Sequence, residues 1–179
     1  EITDRISRLF EETVPILRNI YKGFLGEKID LLKESRSQFR ESLKRQVPEI
    51  EKLIEDKEKN EATRRFLMAL PWLQRVALAL DNLLDKMEMK AEKNVLFTQK
   101  ALDDIKSLME VVGAEFTDVK DYCATRDPAL KKRVEADVER LRQMTDDFYN
   151  AHQKRLLAGE CMPKASYLYI DMTDSLNRM

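Results

Sequence analysis

Apolar residues along this chain recur at steps of three and four, the spacing of a helix with one buried face, and nowhere at the steps of two that mark a half-buried strand. The clearest run extends from about Leu96 to Thr125, where Leu102, Ile105, Met109, Val112, Phe116, Val119 and Cys123 form one stripe. Arg126-Asp127-Pro128 breaks it, with Asp127 suited to cap a new helix and Pro128 to its first position. The helix that follows carries Leu130, Val134, Val138, Leu141, Phe148, His152 and Leu156 on one side and stops at Gly159. Pro163 and Ser166 open a last helix bearing Leu168, Met172, Leu176 and Met179.

The first half reads the same way. An amphipathic helix is predicted from about Ile2 to Leu25, ended by Gly23 and Gly26. Ile29, Leu32, Phe39, Leu43, Val47, Ile50 and Ile54 mark a second helix, which Pro48 should kink or split. A third is predicted from about Glu61 to Lys90, with Phe66, Leu70, Leu73, Ala77, Leu80, Leu84 and Met87 on one face. Met68, Val76 and Leu83 give it a second apolar side, so it should be central, with a kink at Pro71. The expected fold is all-α: three helices and then three more, joined by short connections that make neighbours antiparallel. The segment LQRVALALDNLLD in the third helix and LNRM at the end place Leu, Arg and an apolar residue alike, about half a chain apart. A tandem duplication follows, with one repeat over about 8–92 and the second over about 95–179.

Composition agrees. Glycines and prolines are few, at 4 and 5, and helix formers dominate. The 32 basic and 33 acidic residues nearly cancel, which argues against nucleic acid or an anionic membrane surface as a partner. No apolar run is long enough for a membrane span. Cys123 and Cys161 are too few for a disulfide framework and are expected as free thiols in a reducing compartment. A start at Glu1 and an end within a helix suggest a piece cut from a longer chain.

Candidate chemistry is sparse. His152 is the single histidine, and on an inward stripe it reads first as a hydrogen-bonded core residue. No zinc spacing, glycine-framed nucleophile or phosphate loop occurs, so no catalytic residue is assigned and the chain is not expected to be an enzyme. Asp81 and Asp85 share a helix face, as do Glu135 and Glu139; Asp118 and Asp121, and Asp171 and Asp174, are three apart. Such pairs serve as a solvated acidic face or as oxygen ligands for a cation. Arg75 and Arg178 suit either acidic neighbours or a bidentate grip on phosphate.

The pattern from His152 to Arg178, through Arg155, Leu156, Gly159, Cys161, Pro163, Ser166, Asp171 and Leu176, resembles the last helix-loop-helix of PhoU-like domains. It is most similar to those at the cytosolic C-terminal end of bacterial sodium/phosphate cotransporters. In LQRVALALDNLLD, Arg75 and Asn82 fall where the first repeat of that family has Arg and Asn. The resemblance implies a six-helix bundle of two three-helix repeats, the last helix truncated. It also implies a non-enzymatic, regulatory role in phosphate transport, at the cytoplasmic face of the membrane. The partner implied is a membrane transporter domain of the same chain, with a homodimer as a second contact. Alternatives within the family are a free-standing phosphate-signalling regulator and a metal-binding protein. The family's acidic metal motifs depart here: Gln74, Leu78 and Asn177 stand at acidic positions, and Arg142 replaces an acid in the fifth helix. No metal cluster of the family type is therefore expected as a cofactor, and Asp81, Asp85 and Asp171 remain as candidate cation ligands.

Overall fold

A computed structural model describes residues 2–56 and 68–179. The described residues form six helices: α1 (Ile2–Leu25), α2 (Ile29–Asp56), α3 (Ala69–Glu92), α4 (Gln99–Thr125), α5 (Pro128–Leu157) and α6 (Pro163–Asn177). No strand occurs among them.

Local chemistry sets the ends of these helices. Thr98 and Asp127 cap α4 and α5, their side chains accepting from the backbone N–H groups of Ala101 and Ala129. Pro128 and Pro163 occupy first positions, where a missing N–H costs nothing. At the end of α5, Gly159 adopts φ +75°, Gly159 N–H donates to Leu156 C=O, and Glu160 N–H to Arg155 C=O. That pair of bonds is a Schellman motif. The same pair closes α1, but there the left-handed residue is Glu27 and not a glycine. Gly23 serves packing instead: a Cβ on it would stand 2.9 Å from Leu32 Cδ2.

Two proline expectations change. α2 runs through Pro48 as one helix. Pro48 is exposed, and so is Lys44, whose carbonyl loses its donor, so water can replace the missing bond. Pro71 falls in the first turn of α3, where backbone N–H groups have no partner within the helix, so no helical hydrogen bond is lost to it. Residues 57–67, including Phe66, lie outside the described residues.

The helices pair as α1 with α2, α1 with α4, α4 with α5, and α3 with α6; α2 also meets α3, and α5 meets α6. Exchanging α1–α3 for α4–α6 maps each of these pairings onto another or onto itself. One main core results, centred on Ile20, Leu32, Leu80, Leu83, Leu84, Ile105, Leu108 and Met172. Ile2, Ile6, Ile50 and Ile54 form a smaller cluster at the far end, against Leu70, Leu73 and Cys123. The predicted stripes account for most of this, with two exceptions. Met68 is 68% exposed and Val138 55% exposed, because α3 becomes central only from about Ala79 and the first half of α5 meets solvent.

Charges line the seams. Along α2 and α3, Lys33 pairs with Glu92 (3.0 Å), Arg36 with Glu88 (3.5 Å) and Arg40 with Asp81 (2.9 Å). Between α1 and α2, Glu12 takes Ser42, Arg45 and Gln46. Burial pushes the Glu12 carboxyl up, but those donors outweigh it and hold the group below the usual carboxylate range.

Candidate functional site

The motif residues of α5 converge on a buried polar cluster under the α5–α6 turn. A helix places residues three apart on one face, so His152 and Arg155 both point inward, at 2% relative exposure for His152. Asp104, near the start of α4 and 1% exposed, is the carboxylate of the cluster. Tyr169 Oη donates to Asp104 Oδ2 at 2.8 Å, and Arg155 Nη2 lies 3.7 Å from the same oxygen. Lys100, one turn earlier on α4, reaches Asp104 Oδ1. The His152 ring stacks on Tyr169 with centroids 4.5 Å apart, and Arg155 Nη2 approaches His152 Nδ1 at 3.5 Å.

Electrostatics fix the protonation of this cluster. Burial, and then the Arg155 charge, push His152 below its ordinary pKa against the opposing pull of Asp104, so the imidazole is neutral at pH 7. Burial, followed by the Asp104 carboxylate, drives the Tyr169 phenol well above its ordinary value. An arginine can only donate, so its approach to Nδ1 favours the tautomer in which that nitrogen accepts. Neither Nε2 of His152 nor Nε of Arg155 has a protein partner.

His152 and Tyr169 also line a small pocket of about 210 Å³ between the α3–α4 connection, α4 and the start of α6. Cys161, half-buried in the α5–α6 turn, stands in its wall. Pro163 begins α6, and Ser166 Oγ donates back to Met162 C=O. Gly159, Cys161, Pro163 and Ser166 thus shape the turn over His152.

The other sequence-predicted residues lie elsewhere. Asn82 Nδ2 donates to Ser175 Oγ at 2.6 Å, tying α3 to α6. Arg75 is exposed and lies 4.6 Å above the Trp72 ring. Arg178 is exposed and pairs with Asp174 one turn back. Asp81 is held by Arg40 and Arg36 of α2. Asp85 and Asp171 flank one ammonium, Lys86 Nζ, at 3.0 and 3.8 Å. Among the described residues, no three His, Cys, Asp or Glu side chains group in a way that could hold a metal ion. Arg142 pairs with Glu139 on the exposed side of α5.

Asp104 and Tyr169 were not singled out from the sequence. The signal existed: Asp104 interrupts the apolar face between Ala101 and Leu108, and a carboxylate in that place must find partners. Glu115 is a second such case, 4% exposed with Oε1 unpartnered; burial and the nearby Asp137 push it up to about 7. Outside these clusters, a groove of about 730 Å³ runs between α1, α4 and α5, with Val14, Leu17, Tyr21 and Met109 in its lining and the Asp118–Arg133 pair at its edge.

No family model, no curated protein and no solved structure matches the chain.

Proposed function

We propose that this chain is a non-enzymatic regulatory domain of the PhoU-like type, acting on a sodium-dependent phosphate cotransporter through contacts between packed helices. The observation that carries the reading is the arrangement of the motif residues. Asn82 of the first motif segment bonds to Ser175 within the second, and His152 and Arg155 lock the preceding helix onto α6 through Tyr169 and Asp104. Asn82, His152 and Arg155 thus hold helices together, which supports a domain that works by shape. The pairing of helices, which maps onto itself when the two halves are exchanged, is the arrangement a duplicated three-helix unit would take.

Two surfaces suit contact. Trp72 and Leu78 on α3 are 59% and 71% exposed, and the α1–α4–α5 groove offers a concave apolar face. A partner bound there shifts a transport equilibrium by as much as its preference for one transporter state. Lys86, between Asp85 and Asp171, competes with any cation for those carboxylates, which favours contact over the metal-dependent alternative.

The test is phosphate uptake by the full-length chain, with and without residues 1–179, in cells whose external phosphate is varied. Deletion should change either the maximal rate or its response to phosphate. Uptake identical in both respects, or an upstream reading frame that encodes no membrane domain, would remove this reading in favour of a free-standing regulator.

A further inference from the structure

We propose that the end of the bundle formed by the three short turns 26–28, 93–98 and 158–162 docks on a lipid bilayer that carries anionic headgroups.

The three turns lie side by side. Glu27 in the first pairs with Lys90, just before the second, and Phe24 meets Phe97 with ring centroids 6.4 Å apart. Leu96 and Phe97 of the second turn and Cys161 and Met162 of the third line one small pocket. Large aliphatic side chains are exposed on every one of them. Leu25 and Leu157, which close α1 and α5, are 43% and 87% exposed, and Leu96 and Met162 are 79% and 69% exposed. At the opposite end of α5 the turn is Arg126-Asp127, both charged. Exposed apolar side chains gathered at one end mark surface that becomes covered.

Charge identifies what covers it. Lys28, Lys93, Lys154 and Lys164 lie in or beside these turns, all exposed, and none pairs with a carboxylate among the described residues. Glu27 and Glu92 are committed to Lys90 and Lys33, which leaves Asp30 and Glu160 as the nearby acids that oppose the four lysines. The 32 basic and 33 acidic residues of the whole chain thus conceal a basic end. A bilayer interface suits both features. Its acyl region takes the aliphatic side chains, and each lysine near anionic headgroups favours binding by about fivefold. Lysine stems can follow the apolar side chains inward while the ammonium groups stay among the phosphates. A fluid surface also receives side chains from three separate turns without a matching shape.

The experiment sediments the chain with vesicles of phosphatidylcholine alone, or of equal parts phosphatidylcholine and phosphatidylglycerol. The anionic vesicles should bind it at least about tenfold more tightly than the neutral ones, and added salt should weaken that binding. Lys93→Gln and Lys164→Gln should each lower the affinity about fivefold. Leu96→Ser and Leu157→Ser should each lower it about tenfold, whereas Val138→Ser, an exposed position on the first half of α5, should leave it unchanged. Insertion is read separately by fluorescence. Leu96→Trp should add emission that brominated acyl chains quench, while Trp72, near the start of α3 at the opposite end, should not be quenched. Vesicle binding is measured without transport, so its failure leaves the phosphate reading untouched. No binding to anionic vesicles, equal binding to neutral ones, or equal losses from Val138→Ser and Leu96→Ser would each overturn the proposal. So would an unquenched Leu96→Trp chain, or a dimer in solution that Leu96→Ser dissolves, which would assign this end to a second copy.

Discussion

Tyr169 on α6 and Asp104 on α4 are each 1% exposed and share a hydrogen bond of 2.8 Å. The bond spans 65 residues of sequence and ties α4 to α6 inside the core. Arg155 and Lys100 stand beside this buried carboxylate and offset the cost of its burial. The cluster is consequently cooperative: each member is there to satisfy another.

Removing single members should therefore cost unequally. Tyr169→Phe keeps the ring and the packing but takes one donor from Asp104, and should destabilise by about 1–2 kcal/mol. Asp104→Ala strips Arg155 of its buried partner and should cost about 3–5 kcal/mol. Urea unfolding of both variants checks the ranking. A Tyr169→Phe chain as unstable as Asp104→Ala would mean that packing, and not the charge, dominates here.

Lys90 presents a second buried charge with one partner. It is 3% exposed, its Nζ lies 2.5 Å from Glu27 Oε1, and the rings of Phe24 and Phe97 lie 5.9 and 5.2 Å away. Glu27 meanwhile holds φ +51°, a conformation that costs a side-chain-bearing residue about 1–2 kcal/mol. Strain and ion pairing thus oppose each other in one residue. Glu27→Gln keeps the strain and loses the charge, and should destabilise by about 1–2 kcal/mol. Glu27→Gly loses both and should fall nearer the parent. Lys90→Met, which removes the buried charge outright, should be close to neutral. Thermal melts of the three variants decide; Gly below Gln would show that the left-handed backbone at this position carries less strain than this account requires.

How far the sequence could be read follows from the range of the physics involved. Helix existence and the turn chemistry at Asp127-Pro128 and Gly159 are local matters, legible in a few adjacent residues. Burial of Leu80, Leu84, Ile105 and Met172 follows from a single period along each helix. Val138 and Met68 keep that same period and yet are exposed, because exposure depends on where a neighbouring helix ends. Likewise, Glu27 occupies the position expected of a glycine, since Lys90, 63 residues away, rewards a carboxylate there. The polar cluster was half visible: His152 and Arg155 stood out by motif and spacing, while Asp104 and Tyr169 acquire their meaning only once α4 and α6 meet. Asp81, Asp85 and Asp171, read from spacing alone as cation ligands, are held by Arg40 and Arg36 of α2 and by Lys86.

Gly159 isolates a purely backbone effect. A Cβ added to it meets nothing within 4 Å, yet its φ is +75°. Gly159→Ala should cost about 1 kcal/mol, or roughly 2–4 °C in Tm for a chain of this size. Gly159→Asn should cost less, because asparagine tolerates the left-handed region. The loss should show in hydrogen exchange first at Glu160 N–H, whose bond to Arg155 C=O depends on the same turn. A chain with Gly159→Ala that melts with the parent would exclude any strain at this junction.

Glu115 makes the chain's stability depend on pH in a direction opposite to that of a salt-bridged acid. Its carboxyl is pushed up to about 7 from an ordinary 4.5, first by burial and then by the charge of Asp137. A carboxyl raised in the folded state binds protons there that the unfolded chain has already released, so folding carries no penalty below pH 4.5. Between pH 4.5 and 7 the penalty grows, and above 7 it is complete, at about 3 kcal/mol by the linkage relation. This group therefore contributes a stability that falls as pH rises through that window. Glu12, held below its ordinary value, contributes the reverse at lower pH, where its protonation releases Ser42, Arg45 and Gln46. The comparison of the parent with Glu115→Gln separates the two. At pH 8 the variant should be more stable by about 1–3 kcal/mol, since the amide stays buried but carries no charge. At pH 5 the two chains should differ little. Urea unfolding at both pH values provides the measurement; a difference that does not change between pH 5 and pH 8 would show that Glu115 keeps an ordinary carboxylate, solvated in the folded chain.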